Sequence, residues 1–198
     1  MSNIDTRAVR EIFARLFVVA IENRINFAAF TTMLAKSEFV TKIERDQYDD
    51  CFNKTIDDIL YQVTNNHLTI CESYGVYNDA YWCGFSYFNL FQKTKKPFSY
   101  IFLKLPLARM MDLYPVFHEM DLSSLVDRFQ KIEKTKTILR LLCEHYKCSV
   151  AKLSSATGIN KATLAKYNAS DDALYKGSFQ NIIKIASFFD VPISLFVE

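Results

Sequence analysis

Three groups of side chains in this sequence have the types and spacing to do chemistry. Cys143, His145 and Cys148 lie close enough together to suggest a metal site. On a helix, however, a two-residue step turns Cys143 and His145 about 200° apart. No fourth ligand has suitable spacing, and the cysteines read better as small apolar residues. His118-Glu119-x-Asp121 is the second group, an acid/base set. It lacks the H-E-x-x-H spacing and a nucleophile within reach, and a carboxylate beside a histidine is common at helix ends. The third is Tyr81-Trp-Cys-Gly-Phe-Ser-Tyr-Phe88, which could stack bases or line a ligand pocket. It reads first as core, with Gly84 admitting a close helix, and a dimer or partner surface is the main competitor. Gly75, Gly84, Gly158 and Gly177 are the only glycines, and they form neither a G-x-G-x-x-G nor a Walker A loop. The expectation is therefore no catalytic residue, no metal and no cofactor: a protein that is not an enzyme.

The elements that must carry any function follow from composition and periodicity. Glycine and proline contribute 4 residues each to 198, whereas aromatics make up 15%. Scarce turn formers exclude collagen-like and disordered classes and argue against a hairpin-rich fold, so a mainly α protein is expected. Five cysteines without framework spacing read as reduced thiols. The longest apolar run, residues 16–21, is far short of a membrane span, and charges interrupt the first stretch where a secretory leader would lie. A cytoplasmic protein with no membrane association is the expectation.

Residues 1–130 read as a helical regulatory or oligomerisation domain. Residues 5–35 are helix-like, with 16–21 suggesting a buried central helix. From Tyr48 the positions Cys51, Phe52, Thr55, Ile56, Ile59, Leu60 and Val63 predict an unbroken helical stripe. Residues 67–76 are a short strand or an extended loop. Asn78-Asp79 offers a cap for an aromatic helix over 81–92, broken at Lys95-Lys96-Pro97. A short helix near 99–103 and a further one starting around Pro106 follow. Asp121 can cap a helix carrying Leu122, Leu125, Val126, Phe129 and Ile132, and residues 131–136 are the expected linker.

Residues 137–198 have a different grammar, five short helical segments with brief punctuation. The first, with Ile138, Leu141 and Leu142, ends near Tyr146. Ser149 caps a second, with Leu153 and Ala156 as its apolar contacts. Gly158 closes it in a left-handed turn, and Asn160 caps a third helix that turns Leu164 and Tyr167 inward. A loop over 171–177 leads to a fourth helix with Phe179, Ile182, Ile183, Ile185 and Ala186, and Pro192 opens a last one with Leu195 and Phe196. Charge divides the same way: 14 Lys+Arg against 16 Asp+Glu in residues 1–130, but 10 against 6 in residues 131–198. A basic excess confined to the last third suits a nucleic-acid face there.

The string Ser149-Val-Ala-Lys-Leu153-Ser-Ser-Ala-Thr-Gly158-Ile159-Asn-Lys-Ala-Thr-Leu164-Ala-Lys-Tyr167, followed by Phe179-Gln-Asn-Ile-Ile-Lys-Ile-Ala-Ser-Phe-Phe-Asp-Val-Pro-Ile-Ser-Leu-Phe196, resembles the Cro/repressor-type helix-turn-helix family. The resemblance covers roughly 60 residues and implies a five-helix lambda-repressor-like DNA-binding domain over 137–198. It implies that Lys161, Ala162 and Lys166 face base edges in the major groove, the lysines donating to guanine and Ala162 meeting a thymine methyl. Ser149 and Asn160, at helix N-termini, would hold phosphates, with Lys152 and Thr163 adding backbone contacts. The sequence departs from the family pattern at Val150, Ser154, Thr157 and Asn168, and Asp171-Asp172 would repel phosphate if turned toward a duplex.

The implied function is a sequence-specific transcriptional regulator, a repressor, acting on double-stranded DNA as a homodimer. The alternative is an antitoxin-like interaction module whose N-terminal domain binds a partner protein, with weak or autoregulatory DNA binding.

Overall fold

The computed structural model describes residues 3–65 and 77–196. It is mainly α-helical, and no strand occurs among the described residues. No helix among them is long and apolar enough to cross a membrane. The chain divides into two compact units, Met1–Arg128 and Phe129–Glu198.

The first unit is built on helices α1 (Asn3–Glu22) and α6 (Tyr77–Thr94). Around them lie α2 (Phe27–Lys36), α3 (Glu38–Glu44), α4 (Asp49–Phe52), α5 (Ile56–Thr64), α7 (Phe98–Lys104) and α8 (Leu107–Phe117). Its core is aromatic. Phe13 stacks on Phe98 at 4.7 Å, and Phe17 meets Phe30 edge-on at 5.1 Å. Tyr87 sets its ring edge-on against Phe102 at 4.8 Å and donates its hydroxyl to the Leu105 carbonyl at 2.7 Å. That bond satisfies the one polar atom of a fully buried tyrosine. Segment 81–88 is therefore core: Cys83, Gly84, Ser86, Tyr87 and Phe88 are buried, with Tyr81, Trp82 and Phe85 half-buried.

Several expected boundaries move. The stripe from Tyr48 to Val63 is not one helix, because Thr55 and Asp58 form a reciprocal capping box that starts α5 afresh. Phe52, counted into that stripe, is left 47% exposed. The helix-like stretch 5–35 breaks between α1 and α2, where Arg24 is left-handed and Asn26 accepts from the Ala29 amide. Asn78 and Asp79 lie inside the first turn of α6 and do not precede it. Residues 67–76, including Gly75, fall outside the described residues.

Helix α9 (Leu122–Glu133) contains the boundary between the units, and Asp121 accepts from the Ser123 amide at its start. Residues 131–133, expected as linker, are its last helical residues, and Ile132 is buried. The second unit continues with α10 (Ile138–His145), α11 (Val150–Thr157), α12 (Lys161–Ala169), α13 (Asp171–Tyr175), α14 (Phe179–Phe189) and a 3-10 turn, Ile193–Phe196. Its core holds Leu139, Leu142, Leu153, Leu164, Leu174, Ile185 and Phe189. At about 1.5–3 kcal/mol for each such side chain, these residues hold the short helices together. The expected loop 171–177 is largely helix α13: Ser170 caps it, and Leu174 gives it an anchor in the core. Phe179, expected among the apolar contacts of α14, is 68% exposed, and Ala156 is exposed as well.

Candidate nucleic-acid interface

Helices α11 and α12 and the turn between them lie wholly within the second unit. Leu153 and Ile159 are buried on one side of the turn and Leu164 and Tyr167 on the other. This leaves the opposite faces of both helices to solvent, as a 3.6-residue period requires. The turn is held by polar side chains as well as by its left-handed glycine. Gly158, at φ 70°, donates its amide to the Ser154 carbonyl at 2.9 Å. The Ser154 hydroxyl donates to the Ile159 carbonyl at 2.7 Å, and Thr157 Oγ1 accepts the Ile159 amide at 3.3 Å.

Each helix begins on a working cap. Ser149 Oγ accepts the Lys152 amide at 3.1 Å, and Asn160 Oδ1 accepts the Ala162 amide at 2.8 Å. Other amides of each first turn lack an intrahelical partner, which makes these ends suited to anions. Ser149, Lys152, Asn160, Lys161, Ala162 and Lys166 are all exposed, and Thr163 is half-buried. Lys152, Lys161 and Lys166 make no ion pair with any described residue. Ala162, Ala165, Lys166 and Ala169 share the outer side of α12, whose small side chains leave the helix backbone open to close approach.

The two carboxylates near the end of α12 are already engaged. Asp171 Oδ1 accepts the Ile138 amide at 2.6 Å, at the start of α10. Asp172 pairs with Lys176 at 2.9 Å. Tyr167 accepts at its hydroxyl from Asn181 Nδ2, at 3.3 Å. The Asp171–Ile138 and Tyr167–Asn181 contacts join residues whose proximity the tertiary fold creates, whereas Asp172–Lys176 is an i,i+4 pair that follows once the segment is helical.

The other candidate clusters do not converge. His118 stacks on Tyr114 at 4.5 Å with Nδ1 2.8 Å from the Tyr114 carbonyl, while its Nε2 lies 3.5 Å from Glu119. The Asp121 carboxylate is turned to its own helix start at Ser123, which holds it below the usual range. Cys143 is half-buried and burial pushes its thiol up to about 11; Cys148 is buried, and its Sγ donates to the Ser149 carbonyl. His145 is exposed and meets the ring of Tyr146 edge-on.

No protein family, curated protein or solved structure matches the chain.

Proposed function

We propose that this chain is a sequence-specific DNA-binding transcriptional regulator, a repressor, in which α11, the turn and α12 act as a Cro/repressor-type helix-turn-helix. The observation that carries this reading is the outer face of α12: exposed Lys161 and Lys166, without ion-pair partners among the described residues, beside small alanines, over a base of buried Leu164 and Tyr167. A cationic helix with a low profile enters a major groove, where lysine donates to guanine and a methyl group packs on thymine. Lys152 and the capped helix starts at Ser149 and Asn160 would hold the flanking phosphates. The protein would act in the cytoplasm as a homodimer, reading two half-sites about 34 Å apart, with residues 1–128 serving self-association or regulation.

The test is binding of the full chain to genomic DNA fragments over a range of salt. Some fragments are expected to bind well above bulk DNA, with log K falling linearly in log salt. Lys152→Ala should weaken binding to all sequences and flatten the salt slope by about 1, while Lys161→Ala should cost about 1–3 kcal/mol and relax selectivity at one position. If every fragment binds no better than bulk and Lys161→Ala changes nothing, the proposal falls. A stable complex with a neighbouring gene product and no operator binding would favour the antitoxin-like alternative.

A further inference from the structure

The start of α10 is capped in an unusual way. An N-cap threonine ordinarily turns its own side chain back to accept an amide of the first turn. Thr137 occupies that position, with φ −73° and ψ 160°, yet makes no such bond. Its hydroxyl points outward and donates to the Asn168 carbonyl at 2.8 Å. That carbonyl belongs to the last turn of α12, where no intrahelical amide remains to bond it. The capping acceptor for α10 comes from elsewhere: Asp171 Oδ1 takes the Ile138 amide at 2.6 Å, from 33 residues further on. A carboxylate there also meets the positive end of the α10 dipole. Ile138 and Leu139 are fully buried, so this end of α10 is seated in the core of the unit. Two hydrogen bonds, one to the last turn of α12 and one to the first residue of α13, thus tie the α12–α13 junction to the entrance of α10.

We infer that Thr137 and Asp171 are positioning residues of the DNA-reading helix, fixing the far end of α12 and so the direction in which Lys161, Ala162 and Lys166 are presented. The inference rests on the DNA-reading role proposed above. Its consequence is selective. Base-edge hydrogen bonds tolerate only a few tenths of an ångström. Phosphate contacts made by long, flexible lysines follow a displaced backbone readily. Releasing the clamp therefore damages sequence choice more than it damages attachment.

The experiment uses the full chain, a duplex selected by the wild type from a random pool, and mixed-sequence DNA as the reference. Asp171→Asn and Asp171→Ala remove the same negative charge, so both shift mixed-sequence affinity alike. Only Asn keeps an oxygen to accept the Ile138 amide. The ratio of selected to mixed-sequence affinity is expected to fall about tenfold in Asp171→Ala and to stay within about twofold in Asp171→Asn. Thr137→Val and Thr137→Ser form a second pair with the same contrast, and far-UV circular dichroism confirms that each variant is folded. A selective wild type whose ratio is unchanged in Asp171→Ala and Thr137→Val overturns the inference alone. So does an equal loss in both Asp171 variants. A wild type that selects no sequence overturns the DNA-reading role, and this inference with it.

Discussion

Replacing Gly84 with alanine probes a close approach of α6 to α1. A Cβ on Gly84 would sit 2.7 Å from Ala14 Cα, 2.8 Å from Phe17 Cδ2 and 3.0 Å from the Phe13 carbonyl oxygen. Carbon atoms in contact rest at about 3.5–4.0 Å, so α1 must withdraw by roughly 0.8 Å or more. Two of the three atoms are α1 backbone, which no rotamer change can move aside. The third belongs to a fully buried ring wedged between Phe30 and Tyr87. Overpacking of this kind costs about 1–3 kcal/mol, and the backbone clash places it at the upper end. Alanine offsets about 1 kcal/mol of that through its higher helix propensity. The net loss is about 2 kcal/mol, or a fall in Tm of about 4–8 °C for a chain of this size. Thermal melting by circular dichroism, with urea titration alongside, measures it. Gly84→Ser should lose more, since its hydroxyl must be housed as well. An alanine variant as stable as the wild type would refute the reasoning, because it would mean that α1 and α6 are not in backbone contact at this point.

Two further substitutions have expected signs. Gly158→Ala meets no atom within 4 Å, so its cost comes only from the left-handed backbone, about 1–2 kcal/mol, and Gly158→Asn should cost less; urea midpoints in the reverse order would count against the turn. Glu44 is held above its ordinary value of 4.5 by burial, despite the Phe98 amide that its Oε1 accepts at 2.7 Å. Between the unfolded and folded values the folded state holds the extra proton, so stability from this group falls as pH rises through that window and levels off above it. Glu44→Gln keeps the oxygen and loses the titration; its stability relative to wild type should rise from pH 4.5 upward, and a difference independent of pH would refute the assignment.

Local signals in this sequence predicted local structure well. The glycine and proline shortage, the aromatic surplus and the 3.6-residue stripes led to a mainly helical chain, and that is its structure. Two segments depart from the expected elements. The periodicity from Tyr48 to Val63 runs straight through Thr55-x-x-Asp58, whose reciprocal cap starts a helix whatever the phase of the stripe before it. Residues 171–177, expected as a loop, are largely helical because Ser170 supplies a cap, the acids suit a first turn, and Leu174 finds core to fill. Leu174 is the one buried residue of α13, and the core that receives it is supplied by the tertiary fold.

The candidate interface divides along the same line. Caps at Ser149 and Asn160, the left-handed Gly158, and the inward Leu153, Leu164 and Tyr167 are all set by neighbours within a few residues, and all were legible. What decides whether α12 presents a usable charge pattern lies further off. Asp171, read from sequence as a source of repulsion toward a duplex, spends its carboxylate on the Ile138 amide, 33 residues away. Ser154 and Thr157 depart from the repressor pattern in type, but their hydroxyls bond across the turn or back along α11 and stiffen it. A polar side chain is electrostatically a different object once it has a partner. Among the described residues Lys152, Lys161 and Lys166 make no ion pair, whereas Asp172 is paired with Lys176 and Asp171 is held at the start of α10.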